Sequence, residues 1–368
     1  MNAVTRGLGI QHAASCRFEA ARQITSSQID HRSNRMHGHG FIVSAHACLP
    51  DGWSAYSGGE VSSLRSSLER RSNILDYCFL NEIVENPTDA NLAKWFLDQL
   101  HVPGLIRISV QSTPDQGVIA ENAYTQVWRR YRFQAAHKLP NVPEGHKCGR
   151  LHGHGFQVIL HAAADVSSSS VAVEYDSLDA SWEQVFPLLN YRYLNDLPGL
   201  ENPTSELLSS WLWGKLKPDL PCLSAVTVYE TESCGATFDG ANYRIWKDFN
   251  VDSAVRHGNA VPGALEYNLH GYTYKLRLRL CGSLDRVMGW TVDFGDVKAI
   301  FDPIFKSIDH HPLHEQAALV NGDSATIAKW LYGVAKEKLP ELEGVDLFEV
   351  EGCGALVGQN VGAALLPV

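Results

Sequence analysis

His146-Lys147-Cys148-Gly149-Arg150-Leu151-His152-Gly153-His154 is the stretch from which the reading of this chain proceeds. His152 and His154 stand two apart and lead into the alternating run Phe156, Val158, Leu160, so on a strand both imidazoles leave the same face. His137 closes an earlier strand-like run, Tyr131, Phe133, Ala135, and an antiparallel pairing of the two runs brings it opposite that pair. Three nitrogen ligands and an open fourth position are the catalytic form of a zinc site, not the structural form. Cys148 lies four residues before His152, and a nearby dication lowers a thiol's pKa toward neutrality, which puts a thiolate base beside a Lewis acid. A lone His-x-His is more often an ordinary pair of histidines, since short motifs misfire. Three histidines and a cysteine within eighteen residues, punctuated by glycines, favour the metal.

The motif recurs. His37-Gly38-His39 stands 115 residues earlier, Glu85-Asn86-Pro87-Thr88 stands 116 before Glu201-Asn202-Pro203-Thr204, and Trp95 stands 116 before Trp211. Toward the C-terminus His270 follows His152 by 118, Trp330 follows Trp211 by 119, and Glu349-Val350-Glu351-Gly352-Cys353-Gly354 follows Glu230-Thr231-Glu232-Ser233-Cys234-Gly235 by 119. Three copies of one module are therefore expected, over 1–122, 123–248 and 249–368, with 115–122 and 248–253 as connectors. In the middle copy the pattern predicts strands near 124–137 and 152–163, helices near 175–189 and 203–216, and strands near 223–231 and 241–247. Asn202 and Pro203 read as N-cap and first-turn residue of the second helix, and Ser167 to Ser170 as a solvent loop. A four-stranded antiparallel sheet with two helices on one face leaves two open edges. Three such α+β modules joined edge to edge remove them in a closed twelve-stranded barrel with the helices outside.

Composition narrows the class. The chain has 368 residues, 45% hydrophobic and 20% charged, ample for a globular core. Net charge −10 argues against nucleic acid as the main partner. Thr5 to Gly9 is too polar for a signal peptide and no apolar run reaches membrane-spanning length, so a cytoplasmic protein without a membrane partner is expected. The eight cysteines include no Cys-x-x-Cys pair and read as free, mostly buried thiols.

Phe133-x-Ala135-Ala136-His137, Cys148-x-x-x-His152-Gly153-His154, Leu194-Asn195-Asp196, Glu201 to Glu206 and Val228-Tyr229-Glu230-Thr231 resemble, in order and spacing, the bacterial 6-carboxytetrahydropterin synthases of the 6-pyruvoyltetrahydropterin synthase family. The spacing from Cys148 to His152 is similar to the bacterial queuosine-pathway form and shorter than the animal biopterin form. The resemblance implies the tunnelling fold, whose single modules trimerise into a barrel and stack as two trimers. One chain here would supply a pseudo-trimer and a homodimer the stacked assembly. It also implies Zn2+ on His137, His152 and His154, Cys148 as general base, Glu230 as pterin anchor, and an Asp-His pair supplied across an interface. Thr204 and Glu349 join Glu230 as substrate-binding candidates, Glu349 for a second, metal-free pocket; Lys147 and Arg150 are candidates for the triphosphate.

The copies have diverged. The middle one reads Asn190-Tyr191 where the family has Asp-His, whereas the third keeps Asp309-His310 but carries Val255, Glu266 and Tyr272 in place of the first zinc histidine, the cysteine and the last histidine. The first has Arg22 for the first histidine, Ser33 for the cysteine, Asp76-Tyr77 for the pair and Ser112 for the anchoring glutamate. His37 and His39 then read as remnants unless a ligand such as His31 completes them. One composite site per chain, between the second and third modules, is the expectation, with Cys148, Asp309 and His310 as its catalytic residues. The activity implied is a zinc-dependent lyase converting 7,8-dihydroneopterin triphosphate to 6-carboxy-5,6,7,8-tetrahydropterin. The alternatives are a silent zinc-containing pterin binder or scaffold, or a 6-pyruvoyltetrahydropterin synthase.

Overall fold

The computed structural model describes residues 8–25, 30–121, 124–165 and 175–359. The Ser167 to Ser170 loop lies outside them. The first repeat is built of β1 (Gly9–Arg22), β2 (His37–Ala47), α1 (Glu60–Leu75), a two-residue β3 (Cys78–Phe79), α2 (Asp89–Gln99), β4 (Leu105–Thr113) and β5 (Gln116–Glu121). The second has β6 (Tyr124–His137), β7 (His152–Asp165), α3 (Tyr175–Leu189), a two-residue β8 (Arg192–Tyr193), α4 (Ser205–Leu216), β9 (Leu223–Thr231) and β10 (Cys234–Phe238). The third has β11 (Tyr243–Val255), β12 (His270–Cys281), α5 (Phe294–Ile308), α6 (Ser324–Lys336), β13 (Leu342–Val350) and β14 (Cys353–Gly358). Strand neighbours run β14-β13-β12-β11-β10-β9-β7-β6-β5-β4-β2-β1, and β14 also pairs with β1. The fold is thus the expected α+β one, a closed antiparallel sheet of twelve long strands carrying six helices among the described residues.

Two details differ from the sequence expectation. The fourth strand of the middle repeat is β10, reached from β9 by a tight turn, whereas the run near 241–247 begins β11, which continues through 248–253. Residues 116–121 are likewise a strand, β5, and not a connector. Polar residues at these places misled because a strand in this sheet alternates faces: Asn250 and Asp252 of β11 are exposed, and the buried Ser253 donates its hydroxyl to the Ile308 carbonyl at 2.6 Å. The cap of α4 is also not Asn202. Thr204, in extended conformation, accepts the Leu207 N–H on its hydroxyl, and Thr88 and Asp323 do the same for α2 and α6. Each such cap contributes about 1 kcal/mol.

The helices are held by the apolar stripe their spacing implies. On α3, Leu178, Trp182, Val185 and Leu189 are buried at helical period. Under Trp182, Phe133 of β6 stacks on Phe156 of β7 with centroids 5.0 Å apart, and Phe18 on Phe41 repeats the arrangement in the first copy at 4.8 Å. Each of these phenylalanines is at most 2% exposed, worth roughly 2–3 kcal/mol apiece. The eight cysteines form no disulfide; Cys234 and Cys353 alone are buried, Cys48 is exposed and the other five are half-buried, fewer buried thiols than expected. Among the described residues no helix is long and apolar enough to cross a membrane.

The chain divides into two compact units, one of residues 1–122, 249–278 and 301–368, the other of 123–248 and 279–300. The second unit therefore holds the middle repeat together with a segment of the third, from the end of β12 into α5.

Candidate active site

The antiparallel register of β6 and β7 sets His137 directly opposite His152 and Ala135 opposite His154. The three imidazoles face one another, with centroids 4.5 Å apart for His137–His152, 5.1 Å for His137–His154 and 5.0 Å for His152–His154. Gly153 lies between the two β7 histidines because a Cβ there would come within 3.0 Å of the Ala135 carbonyl oxygen and push the strands apart. Two rings are oriented from behind. His137 Nδ1 donates to the Pro203 carbonyl at 3.1 Å and His152 Nδ1 to the Arg150 carbonyl at 2.7 Å. A carbonyl can only accept, so in each neutral ring the Nε2 lone pair is left for a cation. Burial holds the His137 pKa below the ordinary imidazole value, helped by the charges of His152 and His154 and opposed by Glu230 and the Pro203 carbonyl. That keeps the ring in its metal-ligating form. His137 Nε2 and His154 Nε2 are buried without a hydrogen-bond partner.

Glu230, near the end of β9, completes the cluster; one ligand atom from each of His137, His152, His154 and Glu230 lies within 4.8 Å of all the others. Its Oε1 is 3.4 Å from His154 Nε2 and its Oε2 accepts from the Ser205 hydroxyl at 2.9 Å. Burial pushes this carboxyl up, but the His154 contact, the imidazole charges and the Ser205 bond outweigh it and hold the pKa below the carboxylate norm. The three imidazole nitrogens fit zinc with its fourth position open, and the Glu230 carboxylate, held by Ser205, stands beside them. The sequence placed Glu230 on the substrate and did not place it among the histidines. The signal it lacked is strand order, because β9 pairs with β7, with Tyr229 opposite Gln157.

Cys148 sits half-buried on a short 3-10 turn, Lys147–Gly149. Burial and then the Glu230 and Asp293 carboxylates push its thiol up, and Lys147 pulls it down. The thiolate form thus depends on an added cation. Beside it a cavity of about 610 Å³ is lined by Lys138, Val142, His146, Gly149 and Arg150, but not by Lys147.

The third repeat reaches this unit through 285–293. Asn202 donates to the Met288 carbonyl at 2.7 Å, Thr204 to the Gly289 carbonyl at 2.5 Å, and the Thr291 N–H donates to Glu206 at 2.8 Å. Gly289, at φ 72°, has no room for a side chain, since a Cβ would meet Leu207 at 2.6 Å. Thr204, expected at the substrate, has its hydroxyl engaged by the α4 cap and this bond.

The family model described as 6-pyruvoyl tetrahydropterin synthase matches residues 126–241 and again 244–360. The chain belongs to the 6-pyruvoyl tetrahydropterin synthase family. Among curated relatives it is similar to the 6-carboxy-5,6,7,8-tetrahydropterin synthase of Synechocystis, 36% identical over 119 residues, covering 30% of this chain and 91% of that one. It is also similar to a putative 6-carboxy-5,6,7,8-tetrahydropterin synthase of Archaeoglobus fulgidus, 30% identical over 101 residues, 27% and 83% of the two chains. A solved 6-pyruvoyl tetrahydropterin synthase of Caenorhabditis elegans aligns with 32% of this chain and 96% of its own at 22% identity and a TM-score of 0.29.

In the first repeat of this family member a protein cation stands at the position of the first histidine. Arg22, opposite His37 on β2, donates to Asp89 Oδ1 at 2.7 Å and to the Pro87 carbonyl, and Ser112 donates to Asp89 Oδ2 at 2.7 Å. Burial, then Arg22, lowers the His39 pKa to about 4. His31 is turned to Ser33, its Nδ1 2.6 Å from the hydroxyl.

In the third repeat Glu349 is half-buried, accepts from the Ser324 hydroxyl, and is pushed up to about 7, chiefly by desolvation. Glu266, at the cysteine position, accepts from Ser62. Asp309 and His310 belong to the first unit and the histidine cluster to the second. There Asp309 accepts the Asp252 N–H at 3.0 Å on one oxygen and faces His310 Nδ1 at 2.9 Å with the other. That bond raises the pKa of the exposed His310 ring and lowers that of Asp309.

Proposed function

We propose that the chain is a cytosolic, zinc-dependent lyase that converts 7,8-dihydroneopterin triphosphate and water to 6-carboxy-5,6,7,8-tetrahydropterin, acetaldehyde and triphosphate, a step toward 7-deazapurines such as queuosine. The observation that supports it best is the convergence of His137, His152, His154 and Glu230 with the Nε2 atoms of His137 and His152 left free by backbone carbonyls behind the rings. Zinc held there would supply a Lewis acid for the oxygens of the substrate side chain. Cys148 then takes a proton as general base, in the thiolate form that a neighbouring cation favours. His310, charged more readily because Asp309 holds its Nδ1, carries the second proton. Glu230, ionised at neutral pH, accepts from the amino group and ring N–H of the pterin. Lys138 and Arg150, on the cavity beside Cys148, receive the triphosphate. The modules are the runs β1 to β5, β6 to β10 and β11 to β14, with the second and third supplying the chemistry, and two chains form the working assembly.

Asn190-Tyr191 in the middle repeat favours one competing reading, a silent zinc-containing pterin binder. Incubating the zinc-loaded protein with 7,8-dihydroneopterin triphosphate and analysing the product by mass spectrometry separates the readings. The expected product is the 6-carboxy pterin, lost in the His310→Asn variant with zinc content kept. A 6-pyruvoyl product would reassign the reaction, and zinc with no turnover in the parent protein would leave the binder.

A further inference from the structure

His146 caps the turn that carries Cys148: its Nδ1 accepts the Cys148 N–H at 3.2 Å. In a neutral ring the proton then sits on Nε2. That nitrogen faces Asp293 Oδ2 at 3.6 Å, beyond a direct hydrogen bond, with both side chains largely shielded (25% and 16% exposed). Asp293 belongs to the third repeat. Its other oxygen accepts from Gly295 N at 2.7 Å and Asp296 N at 3.1 Å, at the start of α5, so its position is fixed by the helix. Two further contacts join the same pair of segments. Asn141 donates to the Val287 carbonyl at 2.6 Å, and Trp290 lies over His146 with centroids 6.0 Å apart. The cap itself recurs in the first repeat, where His31 accepts the Ser33 N–H, whereas the third repeat has Glu266 for Cys148 and Ala264, which makes no side-chain cap, for His146.

We propose that Asp293 is a positioning residue for Cys148, acting through His146, so that the third repeat sets the geometry of the base carried by the middle one. The carboxylate holds the tautomer and orientation of the imidazole, and the imidazole holds the backbone of the turn. The catalytic part of this inference rests on the lyase reading; the positioning part does not.

The test is a double-mutant cycle of Asp293→Asn and His146→Asn on the full-length, zinc-loaded protein. Each variant is read in two ways, by kcat and KM with 7,8-dihydroneopterin triphosphate and by the iodoacetamide labelling rate of Cys148 followed by peptide mass spectrometry. Asn at 293 keeps the α5 cap, and Asn at 146 can offer its amide oxygen to the Cys148 N–H but cannot reach Asp293. The expected result for Asp293→Asn is a kcat about tenfold lower with KM little changed, because a small misplacement of the base is costly. Cys148 labelling should rise severalfold while Cys222 labels at the parent rate. The double variant should be no worse than the poorer single one, the mark of residues acting as a chain. Unchanged kcat and Cys148 labelling in Asp293→Asn, or losses that multiply in the double variant, would overturn the proposal while leaving the lyase reading intact. A parent protein without turnover would defeat the lyase reading instead, and the labelling arm alone would then decide the positioning. If His146→Asn does not fold, labelling of Asp293→Asn decides it.

Discussion

At the scale of single residues, equivalent positions show which part of a motif is architecture and which is chemistry. Asp76, Asn190 and Asp309 all accept one backbone N–H, from Glu19, Gln134 and Asp252, at 2.9 to 3.0 Å. The residues that follow them, Tyr77, Tyr191 and His310, all have φ between 52° and 57° and donate their own N–H to the carbonyls of Glu19, Gln134 and Asp252. One oxygen of Asp309 thus makes a turn common to all three copies, and its second oxygen, on His310, is what the third copy adds. The sequence displayed the Asp-His pair but not the clamp, because a side-chain bond to a strand 57 residues away has no local signature. The first copy yields a sharper test. Arg22 and Asp89 are 3% and 1% exposed, and a buried cation without its partner costs far more than the pair contributes. Asp89→Ala should destabilise the protein by about 3–5 kcal/mol in urea unfolding. A loss below about 1 kcal/mol, the value of a surface pair, would mean that water reaches Arg22.

At the scale of elements, the strands and helices carrying the site were legible because their periods are clean, whereas boundaries set by bonding partners were not. Thr204 caps α4 as Thr88 caps α2, directly before the first helical residue, while Asn202 bonds the Met288 carbonyl, a partner 86 residues on. The buried first turn of α4 and the end of β13 also carry a consequence for pH. Glu206 and Glu349 are each raised to about 7, first by burial, against bonds from Thr291 N–H and Ser324 that lower them. A carboxyl whose folded pKa exceeds its unfolded value binds its proton more tightly when folded. Its stabilising effect is therefore complete below about 4.5 and is lost as pH rises toward about 7, on the order of 3 kcal/mol for each group. Glu206→Gln and Glu349→Gln should each be close to the parent in urea midpoint at pH 5 and more stable than it at pH 8. Equal midpoints for variant and parent at both pH values would show that the native protein lets these carboxyls ionise freely.

At the scale of the whole molecule, the threefold repeat, the closed sheet and the histidine cluster were all legible in recurring offsets. Which segment of the third repeat approaches the middle site was not. The segment 285–293 that lies in the middle repeat's unit carries no family histidine, and its contacts are largely made through main-chain carbonyls and N–H groups that any sequence possesses. The same repetition bears on assembly. Met36, Leu151 and Leu269, each directly before the His-Gly step of its copy, are 65%, 68% and 58% exposed, and Tyr77 and Tyr191 are 86% and 82% exposed. Single exposed apolar side chains are ordinary, but an apolar side chain kept at the same position in three diverged copies calls for a partner with the same repetition. A second copy of this chain has it, and a symmetric pair puts each patch against its own like. Light scattering should therefore give twice the 40.6 kDa chain mass. The triple variant Met36→Glu, Leu151→Glu, Leu269→Glu should shift it to a single chain mass, since burying like charges against one another is unfavourable, with zinc still bound in the middle repeat. A parent protein that runs at one chain mass at micromolar concentration would remove the second copy as the partner of these residues.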